Sequence, residues 1–531
     1  MSSNVEYISE VYILSVPLES DYKHTLYFKD SIEQENYFKS RVVRRFNDFN
    51  YIRKDSVIKV GATDANGLNS DCDSLLNAGV NYVMYKNKKY NGKTFYAFIK
   101  ELRYENDNLT SIEIETDVLQ TWFFNYHLKE SFVEREHVSD DTIGLHTQPE
   151  GLETGEYICN GEDDYDLGEM YIVVATTQKG TQAVEGGVYG GNYSGVGYLC
   201  AKLSDYKSVN GWLADLAENG ASDAVTAIFL LPEFLVPDGV ITGNMRSNAD
   251  QYYVGKHYGM LGDYTPHNNK LYTYPFNYLL ATNHNGGSAV YQYEHFKNTD
   301  EGQDENWCLF NIYGVVCPGG SIKLVPLNYK GIHGKNVDEG LNAGKFPISN
   351  WSSDVFTNWL TQNGVNIALS VAGAGLQMAG GVAMMATGGG GLAGAGSIAN
   401  GGLTIAQTLG QIYQQSLMPP QAEGNINSGD VLTAMGDNTF SFYNMSIKGE
   451  NAQIIDKYFD MFGYKVNMIK VPNKNHRANY WYTKTIDVNI DGKIPNNDMQ
   501  KIKDCYNNGL TFWKNADEIQ NYSLGRENVI V

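Results

Sequence analysis

VNIALSVAGAGLQMAGGVAMMA at Val365–Ala386 and LAGAGSIANGGLTIAQTLGQIYQQSL at Leu392–Leu417 are two apolar arms, joined across Thr387 and the run Gly388-Gly389-Gly390-Gly391. They lie inside Val355–Ala422, which holds no Asp, Glu, Lys, Arg or His although 19% of the chain is charged. Each arm has about the twenty residues that cross a hydrocarbon core. Gly, Ala, Ser and Asn, however, stand where a resident span would carry Leu and Ile, so one copy inserts weakly. Small residues four apart, such as Ala379 with Ala383 and Gly390 with Gly394, let helices from several copies approach closely. Three plainer readings compete. A buried core hairpin would be poorly filled by so many glycines. A linker would leave its large apolar residues in water. A resident transmembrane hairpin calls for flanking basic residues, whereas the nearest charges are Asp354 and Glu423. The stretch therefore reads as a conditional membrane-inserting hairpin. Its lipid-facing candidates are Ile367, Leu369, Val371, Leu376, Met378, Val382, Met384 and Met385 in the first arm, and Leu392, Ile398, Leu403, Ile405, Leu409 and Ile412 in the second.

Around this hairpin the chain reads as mainly β (α+β). At 531 residues it has room for two to four domains, and its aromatic content of 12%, with 38 tyrosines, suits strands. A net charge of −21 argues against gripping nucleic acid by its phosphates, which takes Lys and Arg. MSSNVEYISEVYILSV at the N-terminus has no basic region leading into an apolar run and a small-residue cleavage site, so no secretory signal is expected. The six cysteines form no CxxC pair or metal spacing and are expected as free, mostly buried thiols.

In order along the chain, Val11–Val16 is an apolar strand stopped by Pro17, and Ser31 with Gln34 fits a capping box for a helix through Phe38. Tyr82–Lys86 pairs with Thr94–Ile99 across a turn containing Asn91-Gly92. Ser111–Thr116 alternates, with Ile112 and Ile114 on one face and Glu113 and Glu115 on the other. The middle mixes strands (Met170–Thr176, Ala224–Leu231, Ile312–Cys317, Ile322–Pro326) with a helix at Ser208–Glu218 and long Gly/Asn/Tyr loops such as Gly186–Gly197. An amphipathic helix at Asp354–Gln362 leads into the hairpin, and Pro419-Pro420 ends its second arm. Beyond it come a strand Thr439–Ile447, a helix Gln453–Phe462, strands Tyr464–Val471 and Tyr480–Val488, and a helix from near Asp498 with Ile502 and Tyr506 inward and Gly509 as its cap.

Motifs for chemistry are sparse. Asp487-x-Asn489-x-Asp491-Gly492, with Ile494 and Asp498 beyond, matches part of a calcium loop. A strand precedes it instead of a helix, and Asp stands for the bidentate Glu, so a strand, an Asp-Gly turn and a capped helix account for the same residues. The cluster Asp163, Asp164, Asp166 and Glu169 reads as a solvated loop. His137 and His146 have no nucleophile motif beside them, and no HExxH, GxSxG, Walker A or dinucleotide fingerprint is present. The carboxylate pair Glu134 and Glu136 could serve glycoside hydrolysis, but among 61 acidic residues such pairs arise by chance. No metal, cofactor or catalysis is expected.

Several segments carry a resemblance. KTFYAFIKELRY from Lys93, IEIETDVLQTWFF from Ile112 and KESFVEREHV from Lys129 are similar to the N-terminal part of the distal tail tube, or tail knob, proteins of small short-tailed phages of Gram-positive bacteria (the Salasmaviridae type). MPPQ at Met418–Gln421, MGDNTFSF at Met435–Phe442, YFDMFGYKVNMIKVPN at Tyr458–Asn473 and NNDMQKIKDCYNNGLTFW at Asn496–Trp513 match the same family independently, with TYPF at Thr273–Phe276 between. The resemblance implies a β-rich tube module made of residues 1–137 and 425–531, a middle knob region at 138–350, and the amphipathic helix and hairpin at 351–424. It further implies a homohexameric ring at the distal tail of the virion, joined to other tail or collar proteins. DNA passes through it without specific binding, and its apolar loops plug the lumen before inserting into the host cytoplasmic membrane. A receptor-binding adhesin or a cell-wall hydrolase with its site in the middle region is the alternative.

Overall fold

The structure, a computed structural model, describes residues 9–87, 92–167, 170–176, 188–189, 192–193, 197–202, 225–232, 249–283, 287–297, 306–314, 321–330, 340–345, 348–350 and 439–531. The helices expected at Ser208–Glu218 and Asp354–Gln362 and the apolar hairpin lie outside the described residues. The chain divides into two compact units, one of Met1–Thr154, Tyr264–Leu271 and Gly449–Val531, the other of Gly155–Asp263 and Tyr272–Lys448.

The first unit is built from both ends of the chain. Its larger sheet has the order Val42–Phe49, Ser9–Leu14, Tyr82–Asn87, Thr94–Asn106, Leu109–Thr116, Val57–Gly61, antiparallel throughout. Alternation dictates which side chains go in. Ile112 and Ile114 are buried, while Glu115 between the buried residues takes ion pairs from Lys100 and, at 2.9 Å, from Lys501. Tyr82–Asn87 and Thr94–Asn106 pair with Lys86 opposite Thr94, and Gly92 holds φ +63°, the left-handed conformation that this turn needs. A second sheet runs His24–Leu26, Leu510–Trp513, Tyr480–Ile486, Ser131–Glu136, Tyr464–Lys470, parallel at its first pair and antiparallel after it. The core is shared between the ends: Val11, Val83 and Ile112 pack in one cluster with Trp481, Ile502, Tyr506 and Phe512, and Phe38, Tyr82 and Phe98 in another with Tyr480 and Trp513. Trp481 and Trp513 are wholly buried; losing either would cost about 3–5 kcal/mol, a large part of a domain's net stability.

Three local expectations shift. The helix Ser31–Ser40 is capped by Asp30, whose carboxylate accepts from the N–H groups of Ile32 and Glu33, at 3.0 and 2.8 Å. Glu33 reaches back to accept from Lys29 N–H at 2.7 Å, so the N-cap sits at Asp30, one residue earlier than the expected Ser31. Gln34 is instead buried and donates to Gln120. The helix Gly449–Phe462 begins before Gln453 and ends at Gly463, φ +64°. The last helix, Asn496–Asn508, does bury Ile502 and Tyr506 and stops at Gly509, φ +96°, but Asp498 is a buried member of its first turn.

The second unit carries, among the described residues, three four-stranded sheets. One orders Tyr157–Asp166, Thr439–Ile447, Asn277–Thr282, Ser288–Tyr291; another Gly197–Lys202, Met170–Thr176, Val225–Pro232, Ile348–Asn350; the third Ala249–Gly255, Trp307–Gly314, Ser321–Pro326, Leu341–Lys345. The strand expected at Ile312–Cys317 starts earlier, at Trp307: Cys308, Leu309, Phe310 and Asn311 are buried along with Ile312, so the strand is covered on both faces and gives no alternating signal. Its core is aromatic: Phe310 lies 5.0 Å from Tyr291 and 5.2 Å from Phe442, ring centre to ring centre. Cys72, Cys308 and Cys505 are free and buried, and Cys159 is free and exposed.

Candidate functional site

Ile367, Leu369, Val371, Leu376, Met378, Val382, Met384, Met385, Leu392, Ile398, Leu403, Ile405, Leu409 and Ile412 all lie outside the described residues. The strands that bracket them in sequence, Ile348–Asn350 and Thr439–Ile447, both belong to the second unit. Among the described residues no helix is long and apolar enough to cross a membrane.

The residues considered for catalysis have structural duties. His137 is buried; its Nε2–H donates to the Asp460 carbonyl at 3.0 Å and its Nδ1 accepts from Tyr482 N–H at 2.6 Å. Burial, helped by the nearby Arg477 charge, pulls its pKa down to about 3, so it stays neutral with both nitrogens engaged and has no free site for proton transfer. His146 donates to the Asp140 carbonyl at 2.7 Å. Glu134 pairs with Lys484 at 2.9 Å and Glu136 with Lys470 at 2.5 Å, each across neighbouring strands. Burial raises the Glu136 pKa. At the calcium-like run, Asp487 takes φ +52° as a turn residue. Asp498 accepts from Trp122 Nε1 at 2.8 Å and from Lys54, which leaves it bound to the protein itself. Asp163 and Asp164 sit exposed on the strand Tyr157–Asp166, with Ser441 donating to Asp164; Glu169 lies outside the described residues.

Sequence reasoning missed a polar clasp in the first unit. The segment Tyr264–Leu271 closes on the helix Gly449–Phe462. His267 Nε2 donates to Asp460 at 2.6 Å, and its Nδ1 is 2.8 Å from Asp456 in an ion-pair contact too bent for a hydrogen bond. Asp456, wholly buried, also accepts from Tyr264 Oη at 2.9 Å and from Asn268 Nδ2 at 2.8 Å. Burial works against the imidazolium, but the two aspartates outweigh it and raise the His267 pKa to about 9. Burial likewise opposes the Asp456 charge, yet its bonds to His267 and Asn268 hold its pKa below the usual range. Beside the clasp, buried Glu150 accepts from Arg135, Lys270 and, at 2.9 Å, the Lys465 N–H. Every one of these pairs is distant in sequence, so no spacing rule could have found them. The arrangement is one of cross-bracing: charges neutralise each other inside the protein, and none is presented to a substrate.

Comparison with known proteins agrees with a structural reading. A family model of the C-terminal domain of Bacillus phage phi29 tail knob protein gp9 matches residues 242–527, and a model of the caudoviral major tail protein N-terminus matches residues 8–127. The tail knob protein gp9 of Bacillus phage PZA is 26% identical over 610 aligned positions, covering 97% of this chain and 98% of the relative. That of phage phi29 is 25% identical, with coverage of 97% and 98%. In fold, the tail knob protein gp12 of bacteriophage C1 superposes with a TM-score of 0.62 at 13% identity, over 98% of this chain and all of that one. The protein is thus β-rich α+β, with an N-terminal tail-tube domain and a C-terminal knob domain. With more than half its length matched by that C-terminal model, the chain belongs to the family of the phage phi29 tail knob protein gp9, non-enzymatic structural proteins at the distal end of the podovirus tail.

Proposed function

We propose that copies of this chain, six in number, close into a ring at the tail tip that conducts double-stranded DNA. The arms Val365–Ala386 and Leu392–Leu417 are held in its bore before ejection and pass into the host cytoplasmic membrane afterwards. The observation that carries this reading is the absence of any charge from Val355 to Ala422 in a chain that is otherwise richly charged. A hairpin too weak to insert alone gains from each added copy, because interhelical packing and apolar area sum over the ring. The net charge of −21 suits a conduit that lets a polyanion slide. In this reading residues 1–137 and 425–531 form the tube, 138–350 the knob and 351–424 the releasable segment, and the ring seats on other tail or collar proteins.

The test uses liposomes and virions. Charges placed mid-arm, at Leu376→Lys and Leu409→Lys, should each cost about 2.5–3.5 kcal/mol of insertion, multiplied around the ring, and dye leakage from vesicles should fall steeply. Replacing Val365–Leu417 by a short Gly/Ser bridge should leave folding and ring images in the electron microscope intact while DNA delivery stops. Virions with that bridge that adsorb and deliver DNA normally would overturn the reading.

A further inference from the structure

Buried carboxylates of the first unit are commonly met by a cation: Asp498 by Lys54, Glu150 by Arg135 and Lys270, Asp456 by His267. Asp117 is different. It is 2% exposed and caps the helix Val118–Trp122, accepting from Gln120 N–H at 3.0 Å and from Tyr82 Oη at 2.7 Å. The titratable groups that face it are Tyr22 from the loop after the first strand, Tyr82 and Tyr126 from two further strands, and Cys505 from the last helix. All four are neutral at ordinary pH, and the Asp117 charge makes each harder to ionise. No cation acts on Asp117 among the described residues. Burial therefore outweighs its hydrogen bonds and pushes its pKa up to about 6.

Lys474 has the opposite charge and the same lack of a counter-ion. It sits in the loop between the strands Tyr464–Lys470 and Tyr480–Ile486. Its Nζ lies 3.7 Å from the ring centre of Tyr126 and 5.3 Å from that of Phe123, and no carboxylate meets it among the described residues. The rings attract the ammonium, but burial pulls its pKa down to about 7 with no charge acting to restore it. Tyr126 thus has one uncompensated cation over its face and feels the uncompensated carboxylate as well. Asp117 belongs to the N-terminal segment of the unit and Lys474 to the C-terminal one. The rings around them, Phe123, Tyr126 and Tyr506, are part of the core that the two ends share.

We propose that Asp117 and Lys474 make the junction between the two ends of the chain a pH-sensitive joint, held less tightly near neutrality than in mild acid or mild base. An acid whose folded pKa lies above its unfolded one weakens the fold as pH rises from about 3.8 to about 6, and keeps it weakened beyond. A base whose folded pKa lies below its unfolded one weakens the fold up to about 7, and the effect fades from there to about 10.5. Both penalties are complete between about pH 6 and 7. Asp117→Asn keeps a side-chain oxygen for the Gln120 N–H, and Lys474→Met keeps an apolar stem over the rings, so each removes a charge and little else. In urea unfolding of the full-length chain, Asp117→Asn should nearly match wild type at about pH 4. Above about pH 6 its folding equilibrium constant should be larger on the order of tenfold or more. Lys474→Met should show a similar gain below about pH 7, shrinking towards about pH 10. By hydrogen exchange at about pH 6.5, the double variant should slow the amides of Val118–Trp122 and Tyr480–Ile486 and leave Tyr157–Asp166 of the second unit unchanged, which locates the gain at the joint. Variants that are less stable than wild type or do not fold, gains that do not change with pH, or slowed exchange spread over both units would each overturn the proposal.

Discussion

His267 is the residue whose loss should be felt most widely in the first unit, because two buried aspartates depend on it. In His267→Gln, Asp456 and Asp460 would stay buried without their cation, which costs about 3 kcal/mol, at the low end for a broken buried pair since the imidazole is 21% exposed. The pH dependence follows from the shifts. His267 rises from 6.5 to about 9 on folding, so its contribution is complete below about 6.5 and fades as pH climbs through about 9. Asp456, held below its ordinary 3.8, contributes above that value, and its share is lost as pH falls through the lower folded value. Thermal unfolding of wild type and His267→Gln should therefore differ most between about pH 4 and 6.5, narrow steadily above that, and converge near pH 10. Gly463 is a second sensitive point. It combines φ +64° with a Cβ direction that runs into the Glu136 main chain. Gly463→Ala should destabilise by more than the ~1 kcal/mol of an ordinary left-handed position, measured by urea unfolding. Neither residue announces itself in the sequence: a histidine beside Asn268 and a glycine after a helix are common, and what makes them matter is contact with residues far along the chain.

Elements were more legible than residues, since an element's signal is local. The alternation at Ser111–Thr116 and the inward pair Ile502 and Tyr506 follow from periodicity, the pairing of Tyr82–Lys86 with Thr94–Ile99 from a turn signal, and each is present. Where an element was misplaced, two local signals overlapped. Asp30/Glu33 and Ser31/Gln34 both fit a capping box; the tie is broken by Gln34, which is drawn inward to Gln120 at 2.8 Å, leaving the carboxylates to cap. Asp30→Ala should accordingly cost about 1 kcal/mol of unfolding free energy, and Ser31→Ala only a few tenths, a contrast that paired chemical denaturation curves resolve. The helix Gly449–Phe462 starts before Gln453, with Gly449 and Ala452 buried in its first turn, where any larger side chain would have to find room. Sheet order was not readable at all. His24–Leu26 runs parallel to Leu510–Trp513 from the other end of the chain, and strand composition says nothing about such a partner.

At the scale of the whole molecule, the first unit exists only when both ends of the chain are present. Residues 1–154 expressed alone should be insoluble or unfolded, and adding residues 449–531 in trans should recover part of the near-ultraviolet signal of Trp481 and Trp513, which need both segments around them. A cooperative fold from 1–154 by itself would contradict the shared core. That the ends meet is what the family resemblance implies, but their weaving into one sheet, with Ser131–Glu136 between Tyr480–Ile486 and Tyr464–Lys470, is a long-range fact that only the fold reveals. The same weaving sets a clock on biosynthesis. A ribosome moving at ~5–20 residues per second needs roughly 15–60 s to travel from Thr154 to Gly449, and throughout that interval the nascent N-terminal sheet waits with its apolar side uncovered. Chains cut short before Gly449 lack Trp481 and Trp513 and cannot close the shared core, so every such truncation product is left with an unfinished first unit.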